Sequence, residues 1–172
     1  LRKFAMEAYN GGPMLFDWSQ YPVVVDLAGM QITDKSRPIL KDHQTSQVVG
    51  HSDKIINDGK TLHVQGTVSG VGPAAQEVVA CADNGFPWQA SIGVRMLERE
   101  FIPSGNTVEV NGQQFTGPIE VVRASALGEI SFLPLGADDS TQARMIAALT
   151  PQTINQGKNM DFNAWLAQLG FD

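Results

Sequence analysis

The sequence predicts a mainly β fold with a few helices, in the α+β class. Its 17 glycines and 9 prolines divide the 172 residues into short segments, and several of these segments alternate apolar and polar residues as strands do. Hydrophobic residues make up 42% of the chain and charged residues 17%, which is typical of a domain with a buried core. We therefore expect one globular domain over residues 1–149.

Two hairpins are predicted from turn residues that lie between strand-like segments. In the first, residues 48–56 and 62–68 flank a polar loop that contains an Asp-Gly pair. In the second, residues 107–110 and 113–116 flank an Asn-Gly pair at positions 111–112. Asn, Asp and Gly tolerate the positive φ that tight hairpin turns require, so both loops favour antiparallel pairing.

Helices are predicted at two places inside the domain. Pro73 suits the first turn of a helix and Gly85 suits the position just past its end, so the segment between them is predicted to be helical. A second helix is predicted over residues 139–149, with Asp138 or Asp139 as its N-cap.

The end of the chain differs from the predicted domain. Residues 150–159 are polar and unpatterned, which indicates a linker. After it, residues 160–172 carry an apolar stripe at helical spacing, formed by Phe162, Trp165, Leu166 and Leu169. An amphipathic helix this short needs a surface to pack on. We therefore expect it to dock on a neighbouring molecule; the alternative is that it folds back and closes the barrel of its own chain.

Composition argues against several classes of function. The net charge of −6 argues against nucleic-acid binding, which needs a basic surface to displace phosphate counterions. No stretch of about 18 apolar residues is present, so no membrane span is expected. One cysteine and three histidines without ligand spacing predict neither a metal site nor another cofactor.

A candidate nucleophile lies on the segment after the first predicted helix. Residues 88–95 alternate like a strand, with Ser91 on the face opposite to the apolar residues and a glycine two positions on. A serine hydroxyl attacks only when a base takes its proton and a third group orients that base. The candidate bases are His43, His51 and His63, and spacing alone does not choose among them.

A further polar pair lies on a predicted strand over residues 127–134. Glu129 and Ser131 share one side of this strand, and Ile130 and Phe132 share the other. By themselves, such polar residues are more typical of a solvated strand face than of a site.

Three motifs occur in order along the chain. An apolar turn at residues 38–40 leads to His43, a helix leads to the Ser-Ile-Gly of residues 91–93, and a Glu-x-Ser strand at residues 129–133 runs into a proline. In this order the motifs resemble the prohead serine protease family of tailed phages and prophages. The resemblance covers roughly residues 4–148.

The resemblance implies a fold similar to that of the herpesvirus capsid protease, a β-barrel surrounded by a few helices. It implies that Ser91 is the nucleophile, that His43 is the general base, and that Glu129 is the third member, which holds the imidazole tautomer. The herpesvirus relatives use a second histidine in that place, so His63 or His51 is the competing third member.

Two arginines are candidates for supporting the oxyanion, which needs donors aimed at the developing charge. Arg95 follows Ser91 on the same face of its strand, and Arg123 lies before Glu129. A surface salt bridge is the alternative role for each arginine.

The implied function is that of a serine endopeptidase that cleaves scaffold and capsid proteins, and itself, during phage head maturation. Under this function, residues 160–172 are expected to begin a scaffold region, with a cleavage point near the linker of residues 150–159. The implied location is the interior of the immature phage capsid, in the host cytoplasm. We also expect self-association as a homo-oligomer. The alternative is a non-catalytic capsid assembly or scaffold module that retains the protease fold, and activity on a capsid-type peptide separates the two.

Overall fold

Long antiparallel strands dominate the fold. The computed structural model describes residues 1–146, so the predicted linker and the predicted helix of residues 160–172 lie outside the described residues. The strands are β1 (Lys3–Tyr9), β2 (Val23–Val25), β3 (Met30–Gln31), β4 (Pro38–Lys41), β5 (Gln44–Asn57), β6 (Leu62–Thr67), β7 (Gln89–Ile102), β8 (Thr107–Val110), β9 (Gln113–Thr116), β10 (Ile119–Leu133) and β11 (Gln142–Met145). The helices are a short 3-10 helix (Leu27–Gly29) and α1 (Pro73–Asp83). The predicted mainly β class is confirmed.

Strand β10 organises the main sheet. It pairs antiparallel with β7 along one edge, and β2, β3 and β4 pair with it in parallel, end to end, along the other. From β4 the sheet continues through β5, β6 and β1 to β11. The N–H of Ala143 in β11 donates to the carbonyl of Trp88, just before β7, at 3.0 Å. The sheet therefore curls towards a barrel, although within residues 1–146 no continuous ladder joins β11 to β7.

Aromatic side chains fill the interior of the curled sheet. Phe132 of β10 packs edge-on against Phe4 and Trp88, with ring centroids 5.3 and 6.1 Å apart. The indole N–H of Trp88 donates to the carbonyl of Val78 in α1 at 3.1 Å, which ties the helix to this cluster. Because Phe132 follows Ser131 directly, its packing holds in place the end of β10 that carries the Glu-x-Ser motif.

Both predicted hairpins are confirmed. Strand β5 begins earlier than predicted, and its first part pairs with β4 instead of β6. In the second hairpin, Asn111 and Gly112 have φ angles of 55° and 72°, as a type I′ turn requires. The buried amide of Asn111 donates to the carbonyls of Gly11 and Val25 at 3.1 and 2.8 Å, and its Oδ1 accepts from the N–H of Leu27 at 2.8 Å. These three bonds anchor the β8–β9 hairpin to the chain around β2.

The first predicted helix is confirmed as α1, and Gly85, just past its end, has a φ of 84°. Within residues 1–146 it is the only α-helix, whereas a few helices are expected from the sequence. No helix in this part of the chain is long and apolar enough to cross a membrane.

Residues 38–40 correct the sequence prediction, because they form strand β4 and not a turn. Ile39 and Leu40 are buried, and they pair with β10 on one side and with β5 on the other. A short apolar segment with buried partners on both edges suits a central strand. The turn follows it, at Asp42 and His43.

The second predicted helix, residues 139–149, is wrong over its described part, because residues 142–145 form β11. Asp138 does not cap a helix there; its carboxylate accepts from the amide and hydroxyl of Ser140 in a turn. β11 pairs with β1 and so satisfies backbone groups along an edge that would otherwise stay open. That gain outweighs a modest local preference for helix.

Candidate active site

His43 lies in the two-residue turn between β4 and β5. Lys41 and Gln44 pair across this hairpin, and the turn residues Asp42 and His43 have φ angles of 55° and 56°. Positive φ at both positions defines a type I′ turn, a conformation that Asp and His adopt more readily than most residues other than glycine. The amide of Asp42 donates to the carbonyl of Phe132 at 3.1 Å, so the turn is tied to β10.

The register of β7 on β10 aligns the other two predicted site residues. Ser91 lies opposite Ser131, and Gly93 lies opposite Glu129. The register shifts just before Glu129, where Gly128 is the extra residue of a β-bulge. Bulges re-aim side chains and are frequent beside active sites. Ser91 and Glu129 are therefore diagonal neighbours on the same face of the β7–β10 pair.

The imidazole of His43 bridges these two strands. Its Nε2 lies 3.0 Å from the Oγ of Ser91, and its Nδ1 makes a very short contact with Oε1 of Glu129. The structure thus brings together the three residues predicted as a site, and their catalytic roles remain predictions. The side chain of His43 is 38% exposed, whereas Ser91 is 6% exposed.

The hydrogen-bonding capacity of these groups determines which ring nitrogen carries the proton. An ionised carboxylate only accepts hydrogen bonds, so Glu129 selects the tautomer in which Nδ1 of His43 is the donor. Nε2 then has a free lone pair directed at the Ser91 hydroxyl. This is the arrangement that a general base needs before it can take a proton from a serine.

Ser131 belongs to the same cluster, and the sequence did not assign it a role. Its side chain is fully buried; its Oγ donates to Oε2 of Glu129 at 2.7 Å and accepts from the N–H of His43 at 3.1 Å. Its position two residues after Glu129 was the available signal, because such residues share a strand face. That signal did not reveal the burial or the contact with the distant turn.

Gly93 leaves the space that the Glu129 side chain occupies. A Cβ on Gly93 would lie 2.8 Å from Cδ and 2.9 Å from Cγ of Glu129, and closer still to Oε1. Carbon atoms in favourable contact are about 3.5–4.0 Å apart. The carboxylate side chain of Glu129 therefore fills the room that the absence of a Cβ leaves.

The competing histidines lie elsewhere. His51 contacts the hydroxyl of Ser69 through Nδ1 at 2.7 Å and Asp53 through Nε2 at 3.4 Å, and His63 contacts Asp58 at 3.3 Å. The structure does not bring either to His43, because β5 and β6 carry them away from the β4–β5 turn. Within residues 1–146, no cluster of His, Cys, Asp and Glu has the arrangement of a metal site.

The two candidate arginines differ in their positions. Arg123 lies eight residues before Ser131 on β10, a distance of about 26 Å along a strand. It forms ion pairs with Asp26 at 3.2 Å and Glu100 at 2.6 Å, so the structure does not place it at the site. Its pKa is raised, chiefly by the hydrogen bond to Glu100. Arg95 is exposed on β7, on the face of Ser91 and four residues further along.

A groove of about 690 Å³ lies between the end of α1 and β11. Phe86, Trp88 and Met145 line it, but Ser91, His43 and Glu129 do not. The candidate site therefore lies apart from this groove.

The strand arrangement described here has a counterpart among solved structures, and the class of fold is that of the herpesvirus proteases. The protease of Kaposi's sarcoma-associated herpesvirus, in complex with a hexapeptide phosphonate inhibitor, is similar with a TM-score of 0.51 and 12% identity, over 99% of this chain and 76% of that chain. A room-temperature structure of the same protease with an allosteric inhibitor has a TM-score of 0.49 and 12% identity, over 99% of this chain and 88% of that chain.

At 12% identity, the likeness establishes the fold and not the activity. It confirms the predicted similarity to the herpesvirus protease fold. No protein-family model and no curated protein matches the chain, so the resemblance to the phage prohead family remains a prediction.

Proposed function

We propose that this chain is a serine endopeptidase with Ser91 as its nucleophile. The observation that carries the proposal is the position of the His43 imidazole, which bridges the Ser91 hydroxyl and the Glu129 carboxylate. A nucleophile, a base in contact with it, and a group that orients the base are the three parts that acyl transfer requires. The fold supports the proposal because its solved counterpart is a protease.

The proposed reaction begins when the Oγ of Ser91 attacks the carbonyl carbon of the scissile peptide bond. The proton of the hydroxyl passes to Nε2 of His43, and Glu129 stabilises the imidazolium through Nδ1–H. His43 then gives that proton to the leaving amine, and an acyl ester on Ser91 remains. Water hydrolyses the ester with His43 again as the base. Arg95 remains the candidate for supporting the oxyanion, since it lies on the same strand face as Ser91.

The proposed substrates are the scaffold and capsid proteins of an immature phage head, together with the chain itself. The order of the three sequence motifs supports this assignment. We propose that the protein acts inside the immature capsid in the host cytoplasm, and that it self-associates there.

The test combines covalent labelling with peptide cleavage. A fluorophosphonate probe should label wild-type protein at Ser91, and a capsid-type peptide library should be cleaved. Ser91→Ala should abolish both. Glu129→Gln should lower the rate by about 10³–10⁴-fold, because the tautomer is no longer enforced. Ser46→Ala, which changes an exposed serine on β5, is the matched control and should behave as wild type.

Two outcomes would contradict the proposal. Labelling that persists in Ser91→Ala would show that another group reacts. Folded wild-type protein that neither reacts with the probe nor cleaves any peptide, but binds capsid or scaffold protein, would favour the non-catalytic assembly module instead.

A further inference from the structure

We infer that Ser131 is a positioning residue: it couples the backbone of the His43 turn to the Glu129 carboxylate and so sets the orientation of the imidazole. The inference rests on the proposed function, because the orientation matters only if His43 acts as a base. Ser131 does not hydrogen-bond the Ser91 hydroxyl, and in the proposed reaction it does not contact the substrate. It acts through His43 and Glu129.

The direction of both hydrogen bonds at Ser131 follows from the chemistry of its partners. The N–H of His43 can only donate, and an ionised Glu129 carboxylate can only accept. The Ser131 hydroxyl has one proton and two lone pairs, so it accepts from His43 at 3.1 Å and donates to Oε2 of Glu129 at 2.7 Å. Ser131 is 0% exposed, and its hydroxyl both donates and accepts there. The hydroxyl therefore cannot rotate without breaking one of these two hydrogen bonds.

His43 and Glu129, the two hydrogen-bond partners of Ser131, are the groups whose positions need support. His43 lies in a type I′ turn at the tip of a hairpin, and its side chain is 38% exposed, so little packing holds the ring. Glu129 contacts the ring through Oε1, and Ser131 holds its other oxygen. A carboxylate held at both oxygens cannot rotate about its last bond, so the direction of its contact with Nδ1 is set by Ser131.

Loss of the hydroxyl should therefore affect turnover more than binding. In Ser131→Ala, the Glu129 carboxylate can rotate and the His43 N–H loses its acceptor. A misplacement of about 1 Å in a catalytic group costs about 10²-fold in rate. We expect kcat to fall by about 10- to 100-fold with KM nearly unchanged. On a Glu129→Gln background, the same substitution should cause little additional loss, because both changes remove one shared contact.

Strand β10 offers a matched control in Ser125. It is also 0% exposed, and within residues 1–146 its Oγ has no hydrogen-bond partner. Ser125→Ala therefore removes an equally buried hydroxyl from the same strand without touching the site. It should leave kcat, KM and the midpoint of unfolding close to those of wild type.

A measurement without substrate separates the inference from the proposed function. Nitrogen-15 NMR of the resting protein reports the tautomer of His43, and the Nδ1 proton in its contact with Glu129 should give a downfield resonance. Ser131→Ala should broaden or shift this resonance, and Ser125→Ala should not. If wild-type protein lacks all hydrolytic activity, the proposed function fails while this spectrum still tests the link.

The inference is overturned if Ser131→Ala matches Ser125→Ala in both kcat and the His43 resonance. If Ser131→Ala does not fold, Ser131→Cys replaces it, because a thiol keeps the packing but is a weak donor and acceptor. The Cys variant should show the same loss of kcat to a smaller extent and the same displaced resonance. Wild-type values for a folded Cys variant would overturn the inference equally.

Discussion

Replacing Gly93 with alanine should separate the Glu129 carboxylate from His43 without disrupting the fold. The added Cβ would lie 2.8 Å from Cδ and 2.9 Å from Cγ of Glu129, so those atoms must move by roughly 0.6–1.2 Å to reach a normal contact distance. They belong to the outer part of a flexible side chain, and Glu129 can rotate towards solvent. The carboxylate then leaves the Nδ1 proton of His43.

The loss of kcat/KM in Gly93→Ala depends on how far the Glu129 carboxylate moves. A displacement of about 1 Å that keeps a weakened contact should cost about 10²-fold in kcat/KM. Complete loss of the orienting carboxylate should cost about 10⁴-fold, or about 5.5 kcal/mol of transition-state stabilisation. We expect Gly93→Ala to lie between these limits. The free energy of unfolding should change by less than about 1 kcal/mol, because alanine restricts the unfolded chain more than glycine does.

The assay is hydrolysis of a peptide substrate identified with wild-type protein, together with urea unfolding of each variant. Gly12→Ala is the control, since a Cβ there meets no atom of the described residues, 1–146, within 4 Å and Gly12 does not need a positive φ. Adding Glu129→Gln to Gly93→Ala should produce no loss beyond that of Glu129→Gln alone. Wild-type kcat/KM in a folded Gly93→Ala variant would refute the reasoning, because the carboxylate would then not be needed where the structure has it.

Two further predictions concern stability. Asn111→Ala should lower the free energy of unfolding in urea by about 3 kcal/mol, since it leaves the N–H of Leu27 and two carbonyls without partners; a loss below about 1 kcal/mol would contradict this. Burial raises the pKa of Asp58, but hydrogen bonds from backbone amides and from His63 lower it by more, so the pKa lies below its ordinary value. The ionised Asp58 carboxylate therefore stabilises the folded protein above about pH 4, and this stabilisation is lost as the pH falls through the folded-state pKa. The difference in free energy of unfolding between wild type and Asp58→Asn should narrow on acidification. A widening difference would contradict the prediction.

The sequence by itself determined the elements whose signals are local. The Asn-Gly pair at 111–112 adopts the positive φ angles that its hairpin requires, and the strands on each side have the predicted bounds. Pro73 and Gly85 likewise mark the start of α1 and the position just past its end. In each case the constraint acts within a few residues, because it comes from allowed φ values or from unpaired backbone groups at a helix terminus.

The tertiary structure alone decided the features that depend on distant partners. Residues 142–145 became a strand because the edge of β1 was open, which no local pattern in that segment reveals. Spacing along the chain did not choose among the three histidines, and the motif order pointed to His43 only through a family resemblance. The contact of His43 with Ser91 and Glu129 depends on the tertiary structure, since the turn, β7 and β10 meet through sheet register. The burial of Ser131 and the filling of the space at Gly93 follow from the same register. Register is a property of strand pairs, and a single strand does not encode which residue of its partner it will face.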